Sequence, residues 1–414
     1  MLLTQEDHST LLTPSGPHLT LTPKGSNVTG GSHVTYTGVS APTNLRNMKT
    51  KDNLSQTIQN LEKNKTTSHL LIGFDGFVDE IIHVVDQRES PSEYKRLKTI
   101  KALSERIAAV AGLSANIELV PVQQKLGGNG PIMANAVMAQ GQEVTYIGAL
   151  GKHQVDPVFH DMAQKCRKAI SLADPGHTDA LEFHDGKLML GKMDSLVNVN
   201  LKSLQSELPE EALRSLLSET DLVAFTNWTM LANLNEIISA FGKIIDTLDQ
   251  KPRVFIDLAD PQKRTKKAIQ EVLDILSSMP CDTVLSMNMS ESTIISEVLG
   301  IKEEELMPRA EKIREKMGIF GIVIHPLHGA AMATEHGPVW TDGPYTEEPR
   351  LTTGAGDNFN AGFCNAWLAG LEPAQCLMTG VCTSGYYVRN EGSPSRDELL
   401  QFMKKWESLN CGEI

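Results

Sequence analysis

The chain has 414 residues, with 38 Lys plus Arg against 51 Asp plus Glu and a formal net charge of −13. That acidic balance, without a basic run, makes nucleic acid a poor candidate partner, because phosphate backbones are bound by clustered Lys and Arg; no continuous apolar stretch reaches the roughly 18 residues that a membrane-spanning helix needs. The six cysteines lie apart, with neither a CxxC pair nor a His-paired spacing, which argues against zinc and a disulfide framework and gives a cytoplasmic expectation.

Residues 1–47 hold 14 Ser or Thr and only Glu6, Asp7, Lys24 and Arg46 as charged side chains. Those four cancel, so the net charge belongs to residues 48–414. The segment has no sustained apolar period and no secretory apolar run, and reads as a disordered or dispensable extension. Met48 opens what looks like an ordinary protein start, with 48–67 as a helical lead-in. From His69 the pattern changes. HLLIGFD (69–75), VTYIGAL (144–150), DLVAFTN (221–227), RVFIDL (253–258), DTVLSM (282–287) and GIVIH (321–325) read as strands. Helical periods cover 92–111, 131–140, 157–169, 231–248, 263–278 and 302–316. Three more helices follow, at about 356–369, 373–388 and 395–407, before a tail at 409–414. Strands alternating with helices predict an α/β fold with a mostly parallel central sheet covered on both faces. Residues 180–193 break the alternation. Their two β-type runs flank Asp185-Gly186, a type I′ hairpin signal. They read as part of a small β-lid, about 177–195, over the strand carboxyl ends, or as a surface hairpin without a role.

Four polar clusters could carry chemistry. Thr352-Thr353-Gly354-Ala355-Gly356-Asp357 is a Gly-rich turn just before a helix, where free backbone N–H groups and a partial positive charge suit a phosphate. Asp357 there is a helix cap or a base aimed at a hydroxyl. Gly127-Gly128-Asn129-Gly130 again precedes a helix and allows close approach to a small polar ligand. Asp75 and Asp79, four apart, would point the same way from an extended segment and could clamp a polyol. Asn288 and Glu291 at a strand end could hold hydrated magnesium, or simply start a helix. The histidines form no HExxH or triad spacing, and His177, His184, His325 and His328 read as structural or surface residues. Trp228 reads as core, and Lys263, Arg264, Lys266 and Lys267 as a solvated helix face.

In this order, LGGNGPIMANAVMAQG, NMSE and LTTGAGDNFNAGF resemble the signatures of the ribokinase-like (PfkB) carbohydrate kinase family, over roughly residues 68–408. The resemblance implies that family's fold: a mostly parallel sheet, helices on both faces and a small β-lid. It implies ATP-dependent phosphorylation of a sugar hydroxyl with magnesium. It assigns Asp357 as catalytic base and Gly354, Ala355 and Gly356 as the anion hole. Asn288 and Glu291 would organise magnesium through water. Asp79 would bind sugar hydroxyls, Asp75 would sit at a second polar contact, and Gly127, Gly128 and Asn129 would line the sugar site. Gly329, Thr353 and Ser384 would lie near the nucleotide. A homodimer through the lid is a further expectation. Leu351 replaces an Asp common before the TTGAGD run, which puts activation by a monovalent cation in doubt. Ile132 replaces a usual Asn, with Asn129 or Asn135 as substitutes. His325-Pro326-Leu327 replaces a usual Thr-x-Gly. Alternative readings are a nucleoside or sugar-phosphate kinase of the same fold, or a sugar-binding regulator without catalysis.

Overall fold

Nine strands make the central sheet of this computed structural model, which describes residues 43–414, with side chains from Lys49 onward. In chain order the strands are β1 (His69–Phe74), β2 (Phe77–Arg88), β3 (Tyr94–Arg96), β4 (Leu119–Gly127), β5 (Glu143–Gly148), β6 (Lys168–Ser171), β7 (Gly176–Phe183), β8 (Gly186–Lys192), β9 (Leu222–Phe225), β10 (Arg253–Asp257), β11 (Thr283–Met287), β12 (Gly321–Ile324), β13 (Gly329–Thr334) and β14 (Gly337–Asp342). The central sheet runs β14-β13-β12-β11-β10-β9-β1-β5-β6. Its pairings are parallel from β6 to β12, and β13 and β14 add an antiparallel edge. All six predicted strands are present, because buried parallel strands leave continuous apolar runs.

Side chains alternate across this sheet and feed two cores. Leu71, Val223, Phe225, Val254, Ile256, Leu285 and Ile322 face one layer of helices, among them Leu234–Asp246, Lys266–Ser277 and Leu306–Met317. Leu70, Ile72, Ala224, Phe255, Val284 and Val323 face the other, built from Asn129–Ala139, Ala355–Leu368, Pro373–Asn390 and Arg396–Ser408. The fold class is as expected. The lead-in is one helix, Thr43–Lys63. It starts inside the segment read as an extension; residues 1–42 of that segment lie outside the described residues. Leu54, Ile58 and Leu61 bury its inner face, and Asn60 and Asn64 bond Gln375 and the Ala369 carbonyl. No helix among the described residues is long and apolar enough to cross a membrane.

The lid is larger than the sequence indicated. A second sheet carries β3, β2, β7 and β8 in order, and β4 also pairs with β2. β2 and β4 left no readable signal. Leu119–Gly127 is exposed along most of its length, so it has no apolar alternation, and Pro121 sits beside a register shift between Ile81 and Ile82. Ile82, Val84, Leu97, Leu103, Leu181 and Phe183 form the lid's own small core. The helical period read from residue 92 starts only at Ile100, because Tyr94–Arg96 is recruited as β3. The β7–β8 hairpin forms, but Phe183 pairs with Gly186, so the loop is His184-Asp185 and neither residue has a positive φ. It is not the expected type I′ turn. Tertiary bonds set it instead: His184 donates to the Lys98 carbonyl, and Asp185 accepts the Ile100 amide at 2.8 Å.

Candidate active site

Parallel strands deliver their carboxyl ends to one edge of a sheet, and ligand crevices form there. Five strands do so here. Asp75 follows β1, Asn227 follows β9, Asp257 ends β10, Asn288 follows β11 and His325 follows β12. Two helix N-termini, at Asn129 and Ala355, face the same edge. The lid closes the other side through Phe77, Asp79, Thr178, Met189 and Met193. The resulting cleft measures about 400 Å³ and is also lined by Gly128, Asn129, Asp260, Lys263, Glu291, Gly354, Gly356 and Asp357.

Asp357 stands in the first turn of Ala355–Leu368 and is buried. Asn129 Nδ2 donates to its Oδ1 at 2.9 Å. Burial, with Asp257, Asp75 and Glu291 nearby, holds its carboxyl well above the usual range. Gly354 caps the helix at φ 90°, and a Cβ there would lie 2.7 Å from the Tyr387 hydroxyl. That hydroxyl already donates to the Thr353 carbonyl. The Ala355 amide closes the turn on the Thr352 carbonyl at 3.1 Å. Helix-start amides beyond it have no intrahelical acceptor.

Asp75 and Asp79 do not point the same way. The chain leaves the main sheet at Gly76, where a Cβ would lie 2.0 Å from the Ala149 carbonyl, and enters the lid. Asp79 thus sits on β2 and faces the cleft, its carboxyl raised by burial against a hydrogen bond from Thr178. Gly127 is packed beneath it, with no room for a Cβ. Asp75 is fully buried behind the cleft wall. Its oxygens accept the Asn129 amide (2.9 Å), the Gly130 amide (2.8 Å) and Asn227 Nδ2 (2.7 Å). Burial raises its pKa to about 6. These bonds hold the carboxylate inside the wall, and Asp75 is not among the residues that line the cleft.

Asn288 and Glu291 start the helix Met289–Leu299 as a reciprocal capping box, with bonds of 3.0 and 2.8 Å. The other Glu291 oxygen accepts the Asp260 amide at 2.8 Å. The motif starts a helix, as one reading had it, and it also lines the cleft. Burial and the neighbouring Asp257 push the Glu291 carboxyl upward. Asp257 is raised too, by burial, although Asn360 Nδ2 donates to it at 2.7 Å. Among the described residues no group of three His, Cys, Asp or Glu is placed to ligate a metal directly.

Gly329, Thr353 and Ser384 do not line this cleft. Gly329 is glycine for packing, since a Cβ would lie 2.3 Å from the Thr341 carbonyl on β14. Asn135 is also absent from the lining, whereas Asn129 is part of it. The basic cluster divides: Lys263 lines the cleft 3.1 Å from Asp260, Arg264 lies 4.6 Å over the Trp228 ring, and Lys266 and Lys267 are exposed. Trp228 is core, as expected, and donates to Asn235 at 2.7 Å. Asn227, Asp257, Asp260, Lys263 and His325 were missed as site residues. Asn227, Asp257 and His325 share one signal, a polar residue at or just after a parallel strand, whereas Asp260 and Lys263 lie three and six residues past the end of β10. His325 stacks on Phe359 at 4.6 Å, and burial pushes its imidazole down to about 4, so it is neutral.

The comparisons agree with this fold. A family profile described as prokaryotic ketohexokinase matches residues 46–406. The chain is 27% identical over 339 residues to a ketohexokinase of Haloferax volcanii, covering 80% of this chain and 90% of that one. Among solved structures, an Arabidopsis thaliana ribokinase with ribose and ATP covers 82% of this chain and 99% of its own, at TM-score 0.58 and 16% identity. A Sinorhizobium meliloti adenosine kinase gives the same coverages at TM-score 0.59 and 16% identity. These two likenesses establish the fold. The chain belongs to the prokaryotic ketohexokinase family, within the ribokinase-like (PfkB) carbohydrate kinases, ATP-dependent phosphotransferases with an alcohol group as acceptor.

Proposed function

We propose that the protein transfers the γ-phosphoryl group of ATP to a hydroxymethyl oxygen of a free ketohexose, with Asp357 as the base. One observation carries the roles: Asp357 lies buried at a helix N-terminus, in the same cleft as Asp79, with one oxygen held by Asn129. The bond from Asn129 takes Oδ1 and leaves Oδ2 for the attacking hydroxyl. A raised pKa makes Asp357 a stronger proton acceptor. Phosphoryl transfer needs positioning and charge stabilisation more than covalent help. The helix-start amides after Ala355 meet the transferring group. Asp79 holds sugar hydroxyls, and Asn129 holds the base. Lys263 meets anionic oxygen, having only Asp260 to leave.

The residues also fit magnesium. Asp257 and Glu291 are buried carboxylates that raise one another's cost of ionisation, and hard oxygen donors of this kind suit a hydrated divalent ion. Asp257, Glu291 and Asn288 would hold it through water, and it would supply charge neutralisation at the phosphates. The curated relative named above is a ketohexokinase, which favours a ketohexose over a nucleoside. A sugar phosphate is disfavoured by the acidic wall of Asp79, Asp257 and Asp260. The lid leaves Leu119, Val122 and Leu190 exposed, and a homodimer through that face would cover them; a monomer in sedimentation equilibrium would remove that element.

A coupled ADP-release screen over fructose, other free sugars, nucleosides and fructose phosphates tests the function. Release with fructose is the expected result. Release with a nucleoside alone, or sugar-dependent thermal stabilisation without release, overturns it in favour of a nucleoside kinase or a regulator.

A further inference from the structure

The glycines of Gly127-Gly128-Asn129-Gly130 make room for two carboxylates and the hydroxyl that pins one of them. A Cβ at Gly127 would lie 2.4 Å from Asp79 Oδ2, one at Gly128 2.9 Å from Asp75 Oδ2, and one at Gly130 2.4 Å from the Tyr146 hydroxyl and 2.8 Å from Asp75 Oδ1. The turn therefore closes around Asp75. Asp75 lies on the N-terminus of Asn129–Ala139 and accepts the Asn129 and Gly130 amides, as an anion at a helix start does. Its backbone carbonyl is pinned by the Tyr146 hydroxyl at 2.7 Å. Its third side-chain bond comes from Asn227, whose backbone is left-handed at φ 55°. The same Asn129 whose amide it holds sends its side chain 2.9 Å to Asp357. A continuous path thus runs from the end of β1, through one helix start, to the base at another.

We propose that Asp75 is a positioning residue for phosphoryl transfer. It fixes Asn129, and Asn129 fixes the Asp357 carboxylate and its free oxygen. Asp75 touches no substrate. This assignment rests on the proposed kinase reading with Asp357 as base. It separates Asp75 from Asp79: one sets the rate, the other the sugar affinity. The physical cause is geometric. A reacting group displaced by about an ångström loses on the order of a hundredfold in rate.

The test compares D75N, N129A, D79N and the D75N/N129A double variant with the unaltered chain, with ADP release as the rate and thermal melts as the fold check. D75N and N129A are each expected to lower kcat about a hundredfold while sugar KM moves less than about threefold. The double variant is expected to match the worse single variant, because both act on one path. D79N is expected to raise sugar KM instead. Should D75N fail to fold, N129A decides, since the path reaches Asp357 through that side chain. N129A with intact kcat, D75N with raised KM and intact kcat, or an additive double variant each overturn the proposal. An unaltered chain inactive on every sugar would instead count against the kinase reading, so the two failures differ.

Discussion

Asp357 is kept where burial disfavours its ionised form, and at the residue scale that ties stability to the proposed role as base. Its folded pKa is raised by burial and by Asp257, Asp75 and Glu291. A carboxyl with a raised folded pKa is stabilising below its unfolded value, and that stability is lost as pH rises through the folded value. D357N removes this loss and keeps an acceptor for Asn129. Two outcomes follow. Its kcat should fall by about 10² to 10⁴, the usual worth of a positioned base. Its melting temperature should exceed that of the unaltered chain, by a margin that grows as pH rises above the ordinary carboxylate range. Paired melts and initial rates check both; a margin that shrinks with pH would contradict the burial argument. At Gly354 the constraint is steric. G354A meets both a positive φ and the Tyr387 hydroxyl, so transfer rate and stability should fall together. The Gly-rich run before Asp357 was legible in the sequence because glycines and a helix start are local. Asp257 was not, since a single Asp at the end of VFIDL means little until the neighbouring strands bring Glu291 and Asp357 beside it.

At the scale of elements, the first helix shows how far sequence patterning reaches. Its inner face of Leu54, Ile58 and Leu61 is buried against the C-terminal helices, and Thr50 and Asn53 bond Asp342 and Thr341 of β14. L54A should cost about 2–5 kcal/mol, the range for deleting a buried Leu side chain. A chain beginning at Met48 keeps all of these contacts and should retain fold and rate. One beginning at Thr66 loses them and should unfold or aggregate. Circular dichroism and ADP release on the two truncations check this. The lid shows the opposite case. β4 exposes both faces, so no period marked it, and its register comes from pairing with β2 over eight residue pairs. The β7–β8 turn was placed one residue late, because bonds to Lys98 and Ile100 outweigh the local Asp-Gly preference.

Across the whole molecule the charge of −13 works against an anionic nucleotide. Lys263 is the basic side chain in the cleft lining, and it is shared with Asp260. Long-range repulsion is screened once the Debye length falls to about 8–10 Å. Raising ionic strength from about 0.01 M to about 0.15 M should therefore lower the KM for magnesium–ATP, by less than about threefold. A KM that rises with salt would show that local attraction to Lys263 dominates. The sheet, its layers of helices and the Gly-rich turn before Asp357 are legible in the chain, because apolar period and glycine-rich helix starts are written within about ten consecutive residues. Which acids meet is set by the tertiary fold. Asp75 and Asp79 lie close in the chain, yet one is sealed behind a helix start and the other faces the cleft. Asp257, Glu291 and Asp357 are far apart in the chain and converge. Long-range strand order and the lid's exposed pairing set those positions, and neither leaves a local trace.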